Sequence, residues 1–190
     1  MVPREISIQV IALGPVDNRL LSIVAANVFT VYGLPAQVCR GWEMPQKAYD
    51  VHRQQYDVAV LLKHIEDRQL TAASRQAVAG TKTIAITAVD IFVPIFSFVY
   101  GEARHGATAA VVSVNRLVDT PASSANVYLR AVKVALHELG HLFDMPHCED
   151  DLCLMHYADT LAAIDNQPLQ FCRYCRAELP PRLHKQHGGV

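Results

Sequence analysis

The 190-residue chain has no surplus of one charge: 17 Lys and Arg nearly cancel 18 Asp and Glu, leaving a formal −1. That balance gives no electrostatic footprint for nucleic acid or for an anionic membrane surface. A long hydrophobic run is missing too. The longest apolar stretch, Ile84 to Tyr100, is interrupted by Asp90 and Pro94 and is too short to span a bilayer. The first residues lack the basic, apolar and small-residue succession of a signal peptide, and no pro-segment with a cysteine switch is visible, so a cytoplasmic protein is expected. Low-complexity segments, charge blocks and internal repeats are absent as well. What is present is 51% apolar and 18% charged residues, enough core for a single domain at ~150 residues per domain. Nine His and five Cys stand out against this background. In a reducing compartment, clustered cysteines more often bind metal or catalyse than form disulfides.

The hydrophobic pattern predicts an α/β domain. Glu5 to Leu13 alternates as a strand does, and Gly14-Pro15 stops it. Asp17 or Asn18 then caps a helix to about Tyr32, with Leu20, Leu21, Val24, Val28 and Val31 on its apolar side and Gly33 past its end. Strands are predicted at Pro35–Cys39, Thr83–Thr87, Ile95–Tyr100 and Thr108–Val114. Gln54 to Leu70 contains the strand-like VAVLL, but the spacing of Tyr56, Val60, Leu61, His64 and Ile65 favours a helix. From Ser123 or Ser124 a helix runs to about Phe143, and the Pro-rich remainder has little regular structure. This order of elements implies a mixed sheet.

One helix holds the chemistry. His137-Glu138-Leu139-Gly140-His141 is an H-E-x-x-H, and residues four apart share a helical face, so both imidazoles can meet one Zn²⁺. Glu138, one residue on, is rotated ~100° from His137, where it can reach a metal-bound water without entering the coordination sphere. Tyr128, Ala131, Val132, Ala135, Leu136, Leu139, Leu142 and Phe143 form the apolar face. The histidines point the other way, in line with Arg130 and Lys133, which read as a solvated face with possible substrate contact. His147 follows Pro146, so the chain must turn back to bring it to the metal. Three neutral imidazoles with an open fourth position describe a catalytic zinc. Chance would supply the four fixed positions of HExxHxxxxxH in about one such chain per thousand, at ~5% for each residue.

Cys148 and Cys153, then Cys172 and Cys175, have spacing close to that of a Cys₄ structural zinc site. A segment without a core of its own can take folding free energy from a metal, on the order of 10 kcal/mol in small zinc modules. Because Cys148 adjoins His147, the second zinc would also fix the backbone that delivers the third histidine. Two disulfides or a reactive thiol pair are the competing readings. The first suits a cytosolic chain poorly, and the second gives Cys148 and Cys153 no role. Cys39 stands apart in sequence and reads as a packed apolar residue.

HELGHLFDMPHC, followed by Cys153-Leu154-Met155 and Cys172-Arg173-Tyr174-Cys175, resembles the signature of the archaemetzincins, a branch of the metzincin metalloproteases. ITAVDIFVPIF, FVYGEA and AAVVSVNRL are more loosely similar to the family's strand region, and the first eighty residues carry little of the likeness. The resemblance implies a metzincin-like mixed, twisted sheet in one catalytic domain over 1–190. Residues 1–143 would form an N-terminal subdomain with the active-site helix, and 144–190 an irregular, zinc-stapled C-terminal one. It implies two Zn²⁺ per chain: a catalytic ion on His137, His141 and His147 with Glu138 as general base, and a structural ion on Cys148, Cys153, Cys172 and Cys175. Met155 would be the Met-turn, a hydrophobic support beneath the metal, and Thr108–Val114 the sheet edge that pairs with an extended peptide. The implied activity is zinc-dependent hydrolysis of peptide bonds by a monomer, on a peptide or protein substrate, with no nucleic-acid or membrane partner.

One position departs from the family. Its Gly, three residues after the second ligand, is Asp144 here. That Gly ordinarily lets a helix end in a left-handed conformation. Asp tolerates this conformation at some strain, so His147 is expected to be held less well. The alternative function is therefore a zinc-stabilised peptide-binding protein with weak or no catalysis, although retention of Glu138 counts against it. A nucleic-acid-binding zinc protein would draw on Arg173, Arg176, Arg182 and Lys185, but their density is modest beside Asp150, Asp151 and Glu178. Tyr157, just past Met155, is a further candidate ligand or oxyanion partner, or else a packing residue.

Overall fold

The alternating segment near the start of the chain becomes strand β1, Ser7–Ala12, in a computed structural model that describes residues 6–73, 80–118 and 124–179. Helix α1, Asn18–Tyr32, follows where its signals place it: Asp17 accepts a hydrogen bond from the Arg19 N–H, and Gly33 ends the helix at φ 66°. Strand β2, Ala36–Val38, pairs in parallel with β1. After a 3₁₀ turn at Gln46–Ala48 come the short strands β3, Tyr49–Asp50, and β4, Gln55–Asp57. Helix α2, Val58–Ala73, bears out the helical reading from Val58 on, whereas Tyr56 lies in β4; Asp57 accepts from the Ala59 N–H at 2.8 Å. Strands β5, Thr81–Thr87, β6, Ile91–Phe92, β7, Gly101–Ala103, and β8, Ala109–Ser113, precede the long helix α3, Ser124–Leu142. The proposed N-cap Ser123 lies outside the described residues. Two one-and-a-half-turn helices complete the chain, α4 at Leu161–Asn166 and α5 at Arg173–Glu178.

Five strands form one sheet in the order β2-β1-β5-β8-β7, with β7 antiparallel to its neighbour and the others parallel. Strands β5 and β8 are buried on both faces, as interior parallel strands are. Alternate side chains divide between two cores. Ile8, Val10, Ile84, Ile86, Ala110 and Val112 face α1 and α3, whereas Ile11, Ala85, Ala109 and Val111 face α2. Helices α1 and α3 are joined by Tyr32, whose fully buried hydroxyl donates to the Leu136 carbonyl at 2.6 Å.

Two strand expectations are corrected. Thr108–Val114 does not form the sheet edge, because β8 lies between β5 and β7; the edge on that side is β7. Ile95–Tyr100 is not a strand. Pro94 takes an N–H from the ladder, and the Phe96 and Ser97 carbonyls accept from the Arg53 and Gln55 side chains instead of from a neighbouring strand. The short ladder of this region is the separate sheet β3-β4-β6.

Candidate metal centre

Helix α3 brings His137, Glu138 and His141 together, and its end decides where His147 goes. The Asp144 N–H donates to the His141 carbonyl at 2.9 Å, and the Met145 N–H donates to the Gly140 carbonyl at 3.1 Å. These paired bonds make a Schellman ending, which requires a left-handed residue at Asp144. Asp144 supplies it, at φ 70°. The chain then doubles back through Pro146, and the His147 ring centroid comes within 4.8 Å of His141 and 5.2 Å of His137. One ring nitrogen from each of the three lies within 4.8 Å of the others.

Backbone carbonyls set the tautomers. His137 Nδ1 lies 2.9 Å from the Leu154 carbonyl, and His141 Nδ1 lies 2.8 Å from that of Met145. A carbonyl can only accept, so each Nδ1 carries the proton and each Nε2 presents a lone pair. The two Nε2 atoms are 3.1 Å apart. Burial disfavours the charged imidazole, lowering the pKa of His137 to about 3 and of His141 to about 4; that of His147 is lowered by the same cause. Three neutral imidazoles, two of them oriented by carbonyls behind them, are a donor set that fits zinc and leaves a position for water. His147 is exposed, so the cluster opens to solvent on its side.

Glu138 is 7% exposed, and burial pushes its carboxyl well above the usual range, with the charge of Glu102 adding to the effect. The residue can pack so deeply because β7 begins with a glycine. A Cβ at Gly101 would stand 2.9 Å from Glu138 Oε1 and 2.8 Å from Val134 Cγ1. A second close approach lies beneath the helix. Met155 is fully buried, and a Cβ at Gly140 would collide with its sulfur.

The four remaining cysteines of the tail also converge. Their sulfurs lie within 4.8 Å of one another, and Cys148 Sγ is 3.8 Å from Cys172 Sγ, far beyond the ~2.05 Å of a disulfide. All five cysteines are free thiols. The Cys175 N–H donates to Cys172 Sγ and holds that thiol below its ordinary pKa, while burial raises those of Cys153 and Cys175. Such a packed sulfur set fits a tetrahedral zinc ion. The Cys148 N–H donates to the Met155 carbonyl at 2.8 Å, tying this cluster to the histidine site.

Arg130 and Lys133 are not on a solvated face. They are 3% and 5% exposed. Arg130 grips both Asp165 carboxylate oxygens at 2.7 and 2.6 Å, and Lys133 Nζ donates to the Ile164 and Asp165 carbonyls at 2.8 and 2.7 Å. The Asp165 carboxylate and the two carbonyls offset the cost of burying these cations under α4. Tyr157 is exposed, with its ring 5.2 Å from His147. Sequence reasoning missed His105, whose ring is 4.8 Å from His141 and whose Nδ1 is 3.8 Å from Asp144 Oδ1. It sits in a turn after β7 and has no spacing relation to the motif.

A helix-borne histidine pair around a buried glutamate, with a third histidine returned by a tight turn, places the chain among the zinc metallopeptidases of the H-E-x-x-H class. Comparison with known proteins narrows the class. Residues 18–180 match Peptidase family M54. Archaemetzincin from Methanopyrus kandleri is 35% identical over 149 residues, 77% of either chain. That of Archaeoglobus fulgidus is 28% identical over 164 residues, 86% of this chain and 93% of its own. The solved structure of M. kandleri archaemetzincin aligns with a TM-score of 0.78 at 30% identity, covering 98% of this chain and 100% of that one. A zinc-dependent peptidase from Methanocorpusculum labreanum aligns with a TM-score of 0.83 at 25% identity, covering 91% and 100%. The chain belongs to peptidase family M54 and is a zinc metallopeptidase with the archaemetzincin fold.

Proposed function

We propose that the chain hydrolyses peptide bonds with zinc held by His137, His141 and His147 and with Glu138 as general base. The convergence of three neutral imidazoles, two of them on the helix that carries the buried Glu138 carboxyl, supports this reading. Zinc bound there would polarise the scissile carbonyl and bring the pKa of water toward ~7. A Glu138 carboxylate oxygen takes the proton of the attacking water and passes it to the departing amide nitrogen. One C–O bond forms, one C–N bond breaks, and the carboxylate is restored. Met155 supports the helix from below at Gly140.

A second, structural zinc on Cys148, Cys153, Cys172 and Cys175 would hold the backbone of Cys148, and through it the neighbouring His147. The edge role expected of Thr108–Val114 passes to β7, whose outer side lies at the end of the sheet and beside the general base. An extended peptide would add to that edge through main-chain hydrogen bonds. We read residues 1–143 and 144–190 as two subdomains of one catalytic domain, the described part of the second, 144–179, packing on α3, and the protein as a monomer acting on peptide or protein segments without nucleic acid or membrane. Among the described residues no helix is long and apolar enough to cross a membrane. The alternative, a non-catalytic binder, rests on strain at Asp144; retention of Glu138 and the two hydrogen bonds that close the helix end support the catalytic reading.

The test is Glu138→Ala and Glu138→Gln in purified protein, read against a peptide library together with zinc content. The expected result is two zincs per chain in every variant and a loss of turnover of ~10²–10⁴-fold. Turnover retained in Glu138→Ala removes the general-base assignment, and a zinc content below two removes the second site.

A further inference from the structure

The carbonyls that orient His137 and His141 differ in how they are themselves held. Met145 lies four residues beyond His141 and is fixed by the helix ending, through its own N–H to Gly140. Leu154 lies 17 residues beyond His137, in an irregular stretch between Cys153 and Met155. A distant loop carbonyl orients an imidazole only if something restrains it.

Gln167 is placed to do so. It is 5% exposed and directly follows α4. Its Nε2 donates to the Leu154 carbonyl at 2.6 Å and to the His156 carbonyl at 2.9 Å. Both partners are acceptors, so the amide nitrogen must be the atom that faces them. The two N–H groups of one planar amide thus grip the carbonyls on either side of the buried Met155. Leu154 uses one lone pair for Gln167 and the other for His137. Gln167 is in turn anchored to α3. Lys133 holds the Ile164 and Asp165 carbonyls, Arg130 holds the Asp165 carboxylate, and the Gln167 N–H bonds to the Ala163 carbonyl at 3.1 Å. A closed loop results: the helix that carries His137 also fixes, through α4, the carbonyl that orients it.

We propose that Gln167 is a positioning residue of the histidine metal site, holding the Leu154 carbonyl so that His137 keeps its Nδ1–H tautomer and aims Nε2 at the metal. This rests on the assignment of His137, His141 and His147 as metal ligands. Partners one step behind a ligand typically change metal affinity 10–100-fold when they are removed.

Cobalt(II) separates this role from a general loss of stability, because histidine and thiolate sites absorb differently. Gln167→Met keeps a similar length and removes both donors. The expected result is a 10–100-fold weaker cobalt affinity at the histidine site and shifted d–d bands, with the thiolate-to-cobalt charge-transfer band of the cysteine site unchanged. Unchanged histidine-site affinity and d–d bands overturn the proposal, as does an equal loss at both sites. If Gln167→Met does not fold, Gln167→Asn, which withdraws the amide by one methylene, is read by the same criteria. Wild-type protein that takes up no cobalt at the histidines would overturn the ligand assignment itself, and Gln167's role with it.

Discussion

Glu138 lies directly against Gly101, so close that a methyl group on the strand residue would stand 2.9 Å from the carboxylate oxygen. The depth of Glu138 in the protein is therefore set by a missing side chain on another element. Gly101→Ala should push Glu138 or the edge strand aside, because Val134 blocks retreat at 2.8 Å. We expect kcat to fall ~10²-fold, as for a displacement of about an ångström at a reacting group. Zinc content should not change, since no ligand moves. Kinetics paired with metal analysis decides it, and an unaltered kcat refutes the steric account.

Metal affinity at the histidine site should depend weakly on pH across the neutral range. With folded pKa values of about 3 for His137 and about 4 for His141, these two carry no proton for a metal to displace at pH 7 or 6. For a depressed pKa, the neutral form and the affinity it gives are present above that pKa and are lost as pH falls through it. Affinity should therefore hold to about pH 5 and drop below it. Competition titrations with a chelator at stepped pH check this. A loss already complete near pH 6, where a free histidine titrates, would show that the imidazoles of the site, His147 included, are not all held neutral.

Asp144 occupies a glycine conformation, at a cost of roughly 1 kcal/mol for an L-residue. Asp144→Gly should raise the melting temperature by ~2–4 °C, the shift that 1 kcal/mol produces in a chain of this size. Histidine-site zinc affinity should stay within about twofold, because the two Schellman hydrogen bonds already fix the exit from the helix. That outcome would count against a loosely held His147, and a large gain in affinity would support it. Calorimetry and zinc titration on one preparation suffice.

Cys172→Ser should damage the histidine site without touching a histidine. The cysteine cluster holds Cys148, next to His147, and the Cys148 N–H bonds to the Met155 carbonyl. We expect loss of the structural zinc and at least a ~10-fold weaker second site. If the histidine site binds zinc normally in this variant, the two sites are independent.

The chemistry of this chain was legible wherever it followed local periodicity. His137 and His141 are four apart on a helix, Asp17 and Gly33 bound α1, and the cysteine spacings pointed to one cluster, all within short windows. Partners supplied from far away were not legible. Arg130 and Lys133 looked solvated because the acceptors that bury them lie near residue 165, beyond the helix. Strand β7 is three residues long, too short for an alternation signal, and the apolar residues before it drew the strand assignment to Ile95–Tyr100. Gln167 has no signature at all. Its role depends on carbonyls 11 and 13 residues upstream whose direction only the folded tail defines.

Arg130, Lys133, His137 and His141 follow one another along α3 at intervals of three, four and four, and the first two grip α4 while the last two meet His147. The stripe therefore works as a ruler that keeps two docking events in phase. One residue inserted between Lys133 and His137 would turn the histidines ~100° relative to the anchors. Composition, helix propensity and motif would all survive, yet the tail could no longer satisfy both ends at once. Substitutions in the exposed first turn of this helix leave that phase intact, but a change of length between Lys133 and His137 does not.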